Sequence, residues 1–215
     1  MTRRRVAILI SGRGSNMVSL IEAASHPDFP AGIALVLSNR PDAAGLDRAA
    51  AAGIATAVVD HKAHPTREDF EQAMEAELKA HDIAFICLAG FMRVLTDGFV
   101  ERWSGRMINI HPSLLPLYRG TQTHRRALED GVLVHGCTVH FVVPELDAGP
   151  IIAQAAVPVV PGDTAESLAA RVIVQEHVLY PKALRMICDG TARLDNGQVA
   201  FTRGWEASGT LHSPG

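Results

Sequence analysis

The sequence predicts an α/β fold: a Rossmann-like, mostly parallel twisted sheet with helices on both faces, ending in an antiparallel strand pair. Three observations predict it. Short apolar runs without polar alternation recur through the first half, as expected of strands buried on both faces. Helical patterns separate those runs, which is the order of right-handed parallel crossovers. Two later apolar runs, residues 137–143 and 152–159, are joined by a loop too short to hold a crossover helix, so that pair is antiparallel.

The elements follow in chain order. Residues 6–10 (VAILI) form the first strand, and Arg3, Arg4 and Arg5 before it read as a solvated lead-in. Residues 16–24 carry the 3.6-residue spacing of a helix. A strand over 34–37 precedes an alanine-rich helix over 43–52 that Gly53 closes, and 56–59 is a short strand. Residues 67–81 form a strong helix, with Thr66 as N-cap and Glu75 and Lys79 at helical spacing. Strands over 83–88 and 107–110 flank a helical segment at 96–103. Residues 165–188 form one long helix in which Pro181 predicts a kink or break. After Gly190 come a weak strand or hairpin and a frayed tail rich in Gly, Ser and Pro. The expected organisation is a single domain over 1–190, followed by a hairpin and flexible tail over 191–215.

Composition narrows the function. With 47% apolar and 20% charged residues, the 215-residue chain is not expected to be disordered. A net charge of −3 argues against nucleic acid as the main partner. Three cysteines, Cys87, Cys137 and Cys188, contain no CxxC pair, which speaks against a structural zinc site of the usual spacing and against a disulfide framework. The apolar run at 6–10 is too short for a signal-peptide core or a membrane span, and the expected location is the cytoplasm. Eighteen glycines against 5% aromatics suggest tight turns near small ligands.

Sheets of this class bind ligands beyond the carboxyl ends of their strands. The first such place holds Ser11, Gly12, Arg13, Gly14, Ser15 and Asn16, directly before a helix. Glycine lets backbone N–H groups approach an anion, and a helix N-terminus favours negative charge. A dinucleotide fingerprint would need a third glycine where Met17 stands and an acidic residue near Asn39 and Arg40; the Gly-Lys-Ser/Thr ending of a P-loop is also missing. Two readings are left: a single-phosphate site, favoured by the donors Arg13, Ser15 and Asn16, or a plain glycine turn with a serine cap. At a later strand end, Asn109 and His111 share one face, and Pro112 stops the strand. A carboxamide beside an imidazole can hold a developing oxyanion while the imidazole handles a proton; a strand-end histidine satisfied by backbone is the alternative. Asp147, in the loop between the antiparallel strands, is either a turn former or a carboxylate that partners the imidazole and accepts a proton through water. A rival grouping would use His111, His135, His140 and Asp147 as metal ligands, although no known ligand motif supports it. His61 and His64 read as part of an exposed loop, Glu176 and His177 as surface residues of the long helix, and Cys87 as packing.

Taken together, these segments resemble the folate-dependent formyltransferase family, and within it the glycinamide ribonucleotide formyltransferases. The resemblance is carried by residues 10–16 (ISGRGSN), 89–95 (AGFMRVL), 109–116 (NIHPSLLP), 136–149 (GCTVHFVVPELDAG) and 175–177 (QEH), in that order across about residues 6–190. It implies that Gly12, Arg13, Gly14, Ser15 and Asn16 hold the phosphate of glycinamide ribonucleotide, and that Glu176 contacts its ribose or glycinamide end. Met92, Arg93, Val94 and Leu95 would line the pterin pocket through backbone groups, the loop from Val142 and Val143 to Asp147 would close over it, and Arg67 would contact the folate. Asn109, His111 and Asp147 would be the catalytic set, supported by Thr138 and His140. The implied co-substrate is 10-formyltetrahydrofolate, with no metal, no nucleic acid, no membrane, and a monomeric or homodimeric chain. Pro144 stands where an acidic residue is usual, Leu117 where a basic one is common, and Arg119 with Gly120 is similar to the methionyl-tRNA formyltransferases. Those enzymes carry a C-terminal RNA-binding domain, for which the 25 residues after Gly190 leave no expected room; an N-terminal regulatory domain, as in formyltetrahydrofolate hydrolases, is likewise not expected before Val6. A phosphosugar-binding module and a metal-dependent hydrolase are the readings from other classes.

Overall fold

A computed structural model describes residues 3–202. The chain divides into two compact units, Met1–Asn109 with Phe141–Pro144, and Ile110–His140 with Glu145–Gly215. The first contains β1 (Arg4–Ile10), α1 (Ser15–Ser25), β2 (Ala31–Ser38), α2 (Gly45–Ala51), β3 (Thr56–Val58), α3 (Arg67–Ala80), β4 (Phe85–Leu88), α4 (Asp97–Arg102) and the start of β5 (Met107–His111). These strands pair in parallel in the order β3-β2-β1-β4-β5. Such an order requires a crossover between successive strands, and the helical segments read from the sequence supply them.

Burial explains the apolar runs. Residues 6–10 of β1 have no exposed surface. Ala7 and Leu9 join a core made with Leu35 and Leu37 of β2, Phe70, Met74 and Leu78 of α3, and Phe99 of α4. Val6, Ile8 and Ile10 point to the opposite face by the period of two, where Ile10 reaches α2 at Gly45. Each aliphatic side chain buried in this way contributes roughly 1.5–3 kcal/mol. Helix starts follow their caps: Thr66 accepts from the Asp69 N–H at 3.1 Å, and Thr96 from the Phe99 N–H at 3.3 Å. The anticipated Glu75–Lys79 pair is present at 3.8 Å on the surface of α3. Arg3 and Arg5 do more than lead in. Arg3 donates to the carbonyls of Ala24, Phe29 and Ala31, and Arg5 to that of His81 at 2.8 Å. The first of these places a cation at the C-terminal end of α1, where it is favoured.

The second unit contains α5 (Thr123–Glu129), β6 (Val134–Phe141, whose last residue belongs to the first unit), β7 (Ile151–Pro158), α6 (Ala165–Cys188), β8 (Ala192–Asp195) and β9 (Gln198–Phe201). β6 and β7 are antiparallel, as the short joining loop requires, pairing from Val134 opposite Pro158 to His140 opposite Ile151 with a register shift between Val139 and His140. α6 packs on β7 and against α5, and β8 pairs antiparallel with β9. The expected tail beyond 202 lies outside the described residues. Two elements differ from expectation. α5 carries no start signal: its N-cap, Gln122, sits in the left-handed region with φ 58° and makes no side-chain cap. α6 continues through Pro181 without a break. The missing N–H forfeits one helical hydrogen bond, but buried Leu179, Tyr180, Ala183 and Leu184 anchor the helix on both sides of it.

Because Pro181 is tolerated rather than required by this packing, Pro181→Ala is expected to stabilise the chain by on the order of 1 to 3 kcal/mol. Urea denaturation checks this; an unchanged or lower midpoint would mean that the proline ring itself contributes to packing.

Candidate active site

The end of β1 begins the first site. Ser11 is almost fully buried, and its hydroxyl donates to Asn39 Oδ1 at 2.5 Å while accepting from the Met92 N–H at 2.7 Å. Gly14 is the N-cap of α1 with φ 69°, a conformation that side chains disfavour. No side chain caps this helix and its first turn holds no acidic residue, whereas α3 begins with Glu68 and Asp69. The helix start therefore keeps its positive end available to an anion. It borders a cavity of about 500 Å³ lined by residues 11–16, Asn39, Arg40, His61, Met92 and Arg93.

Two contributors here were not anticipated. Gly45, the first residue of α2, donates its N–H to the Gly12 carbonyl at 3.0 Å, and a Cβ on it would lie 3.0 Å from that oxygen and 2.5 Å from Ile10 Cδ1. A glycine beside an alanine-rich helix was the available signal, since glycine there costs stability unless close packing requires it. His61 does not belong to a free loop: in a short 3-10 turn, its Nδ1 lies 2.8 Å from the Asn39 carbonyl, and its ring borders the cavity.

A second cavity of the same unit, about 960 Å³, is lined by Arg67, Glu71, Glu75, Val94, Leu95, Thr96 and Pro144, among others. Of the expected folate-facing residues, Met92 and Arg93 thus border the first cavity, and Arg67, Val94 and Leu95 the second. Val142 packs on the core and donates its N–H to the Met107 carbonyl at 3.0 Å, while Val143 is half-buried. Asn109 lies opposite Leu88 in the β4–β5 ladder.

In the second unit, the expected histidine and carboxylate meet. His111 Nδ1 is 3.4 Å from Asp147 Oδ2, and His140 Nε2 is 3.8 Å from Oδ1. The Gly120 N–H donates to Asp147 Oδ2 at 2.8 Å. All three side chains are at least nine-tenths buried. A buried carboxylate needs polar company, and here the Gly120 amide hydrogen-bonds it while two imidazole rings stand within 4 Å. Asp147 itself takes a left-handed φ of 49°, which aspartate tolerates better than most residues. The other ring nitrogen of His111 lies 2.9 Å from the Tyr118 carbonyl. Both ring nitrogens thus face oxygen atoms. Thr138 is committed to the turn after β5: it donates to the Ser113 carbonyl at 2.7 Å and accepts from the Leu115 N–H at 3.0 Å and from Gln154 at 2.9 Å.

The remaining buried groups have other roles. His135 Nε2 turns to His124 Nδ1 at 3.2 Å, and Tyr118 packs edge-on against the His135 ring. Burial, aided by His124, pushes His135 down to about 4. The grouping of His111, His135, His140 and Asp147 around one ion does not form, and among the described residues no three His, Cys, Asp or Glu side chains are placed so that they could hold a metal ion. Burial, with the neighbouring Glu176 carboxylate, pushes the Cys137 thiol up to about 12, so it is inert as a nucleophile. Glu176 is no surface residue: it is buried on α6. Among the described residues, no helix is long and apolar enough to cross a membrane.

A parallel sheet with its polar groups gathered at strand ends places the chain in the α/β class that binds ligands at those ends. Residues 4–184 match the formyl transferase family, and the chain belongs to that family. It is 48% identical over 94% of its length to the human trifunctional purine biosynthetic protein adenosine-3, of which it spans only about a fifth. It is 44% identical to the phosphoribosylglycinamide formyltransferase of Escherichia coli, covering 88% of this chain and 89% of that one. The crystal structure of glycinamide ribonucleotide transformylase 1 from Symbiobacterium toebii superposes with a TM-score of 0.89 at 42% identity, covering 93% of this chain and 94% of that one.

Two outcomes follow from this geometry. Gly45→Ala is expected to cost roughly 1 to 3 kcal/mol by overpacking against the Gly12 carbonyl and Ile10, and an unchanged urea midpoint would show that the loop has room to move. His135 resists protonation in the fold, with a value of about 4 against the ordinary 6.5. Nothing is lost above about pH 6.5; as pH falls from there towards 4 the unfolded chain takes up a proton that the folded chain refuses, so stability drops, on the order of 2 to 3 kcal/mol in full. Stability measured across that range should be flatter in His135→Gln, and an identical slope would exclude His135 as its source.

Proposed function

We propose that this chain transfers the formyl group of 10-formyltetrahydrofolate to the amine of glycinamide ribonucleotide, a step of purine biosynthesis. The observation that carries the proposal is the buried His111–Asp147 pair, 3.4 Å apart, in a chain of the formyl transferase family. Residues 12–16, at the uncapped start of α1, receive the phosphate of the ribonucleotide. Glu176 contacts its ribose or glycinamide end. The folate lies along residues 92–95 with Arg67, Asn109, Val142 and Val143.

The uncharged amine attacks the formyl carbon, a nitrogen–carbon bond forms, and the carbonyl electron pair moves to oxygen. The Asn109 carboxamide and the protonated His111 ring stabilise that oxyanion by hydrogen bonds aimed at charge that exists only after attack. Asp147 balances the charge of the ring and, through water, carries a proton from the attacking nitrogen towards the folate nitrogen that departs. Collapse restores the carbonyl and expels tetrahydrofolate. Where the substrate oxygen meets His111 at Nε2, it replaces the Tyr118 carbonyl that holds this nitrogen at 2.9 Å. Thr138 and Gln154 keep the turn after β5 in place, and His140 supports Asp147 from its other side.

The test is a formyl-transfer assay with both substrates, following the spectrum of the released folate. Transfer is expected with the wild-type chain; release of formate to water with no formyl acceptance would indicate a hydrolase instead. His111→Ala and Asp147→Ala should fold normally and lose roughly 100- to 10,000-fold in kcat, the usual worth of a positioned acid–base group. A folded His111→Ala variant with unchanged kcat would refute the assignment.

A further inference from the structure

We infer that Glu71 and Ser11 are positioning residues that hold the folate-facing backbone from its two ends; the inference rests on the transfer reading above. Residues 92–95 belong to no helix or strand, and the Met92 and Val94 side chains are largely exposed. A segment of this kind would ordinarily move, yet both its ends are fixed. At its start the Met92 N–H donates to the buried Ser11 hydroxyl at 2.7 Å, and Ser11 is itself held by Asn39. At its end the Thr96 N–H donates to Glu71 at 2.6 Å, and the Thr96 hydroxyl donates to the other carboxylate oxygen. Between the two pins, the backbone groups of Arg93 and Val94 take no hydrogen-bond partner among the described residues. Unspent N–H and C=O groups on a segment pinned at both ends suit the edge of a planar heterocycle that presents donors and acceptors together.

Glu71 is the more telling of the two. It is 2% exposed, on the core side of α3 among Phe70, Met74 and Leu78. Its hydrogen bonds go to Thr96 alone, and no cation pairs with it among the described residues. Burying a carboxylate with so few partners is unfavourable compared with an apolar side chain of similar size. Packing therefore does not account for a glutamate here, whereas its grip on Thr96 does. Glu71 acts through the backbone it holds and not by touching the reacting atoms.

The experiment is steady-state kinetics in both substrates, with a parallel equilibrium titration of 10-formyltetrahydrofolate, on wild type, Glu71→Leu, Glu71→Gln and Ser11→Ala. Glu71→Leu should raise the KM and the dissociation constant for the folate about tenfold, the effect of losing roughly one useful hydrogen bond. KM for glycinamide ribonucleotide should stay within about twofold of wild type. Glu71→Gln keeps an acceptor for the Thr96 N–H and should restore most of the affinity. Ser11→Ala, which frees the opposite pin, should act in the same direction and keeps the test open if Glu71→Leu does not fold. Unchanged folate affinity in folded Glu71→Leu and Ser11→Ala overturns the inference. So does a loss that affects both substrates alike and follows a fall in Tm. A wild-type chain that binds the folate without transferring its formyl group overturns the transfer reading and leaves the positioning test intact; one that binds no folate overturns both.

Discussion

β1 and β2, buried through their middles, turn polar only at their ends. Residues 6–10 of β1 are wholly buried and wholly apolar, and the next residue, Ser11, is the first that can hydrogen-bond through its side chain. The same change occurs at the end of β2, where Ser38 and Asn39 follow Leu37, and at the end of β5, where His111 follows Ile110. Each of these polar groups is buried, so each must find a partner there. Ser11 finds Asn39, and Ser38 bonds with the backbone of Arg40. Parallel strands end on the same side of a sheet, so the requirement to satisfy buried polar groups ties together loops that are distant in sequence. Met92, after β4, is fixed to Ser11, after β1, by this means.

A similar constraint governs Asp147. A buried carboxylate gains little net stability from its partners, because the cost of leaving water offsets most of the attraction. What its partners do determine is placement. The Gly120 N–H and the rings of His111 and His140 approach Asp147 from separate segments and leave one position in which its charge is tolerated. The left-handed backbone at Asp147 fits this account: a strained turn persists where the surroundings over-determine it. Proton transfer benefits from such definition, since the imidazole is already placed beside the carboxylate.

Legibility in the sequence follows from how local each cause is. The strands and most helices were readable because burial writes itself as apolar runs and caps as Thr66 and Thr96, one or two residues from what they control. That the glycine loop follows β1 and that His111 closes β5 was readable by the same logic, because a strand end is a local event. Gly45, His61 and Glu71 were not, because their significance lies in partners that are distant in the chain: Gly45 meets Gly12, His61 meets Asn39 and Glu71 meets Thr96. Glu71 even mimics an ordinary helix glutamate beside Glu68 and Glu75. α5 escaped notice for the opposite reason. Its seven residues lack a capping side chain, and the helix is held by packing against α6.

The four residues 92–95 show why fixing a loop matters more than filling it. Met92 and Arg93 border one cavity of the first unit, and Val94 and Leu95 border the other. A single four-residue stretch therefore borders both. A shift of this stretch would displace a ligand resting on it, and misplacement of about 1 Å at a reacting end can cost a hundredfold in rate. Apolar packing anchors Leu95, which is buried in the core, but cannot hold Met92 and Val94, whose side chains are largely exposed. Hydrogen bonds to the backbone can, and they are directional where packing is not. A buried serine at one end and a buried glutamate at the other supply them.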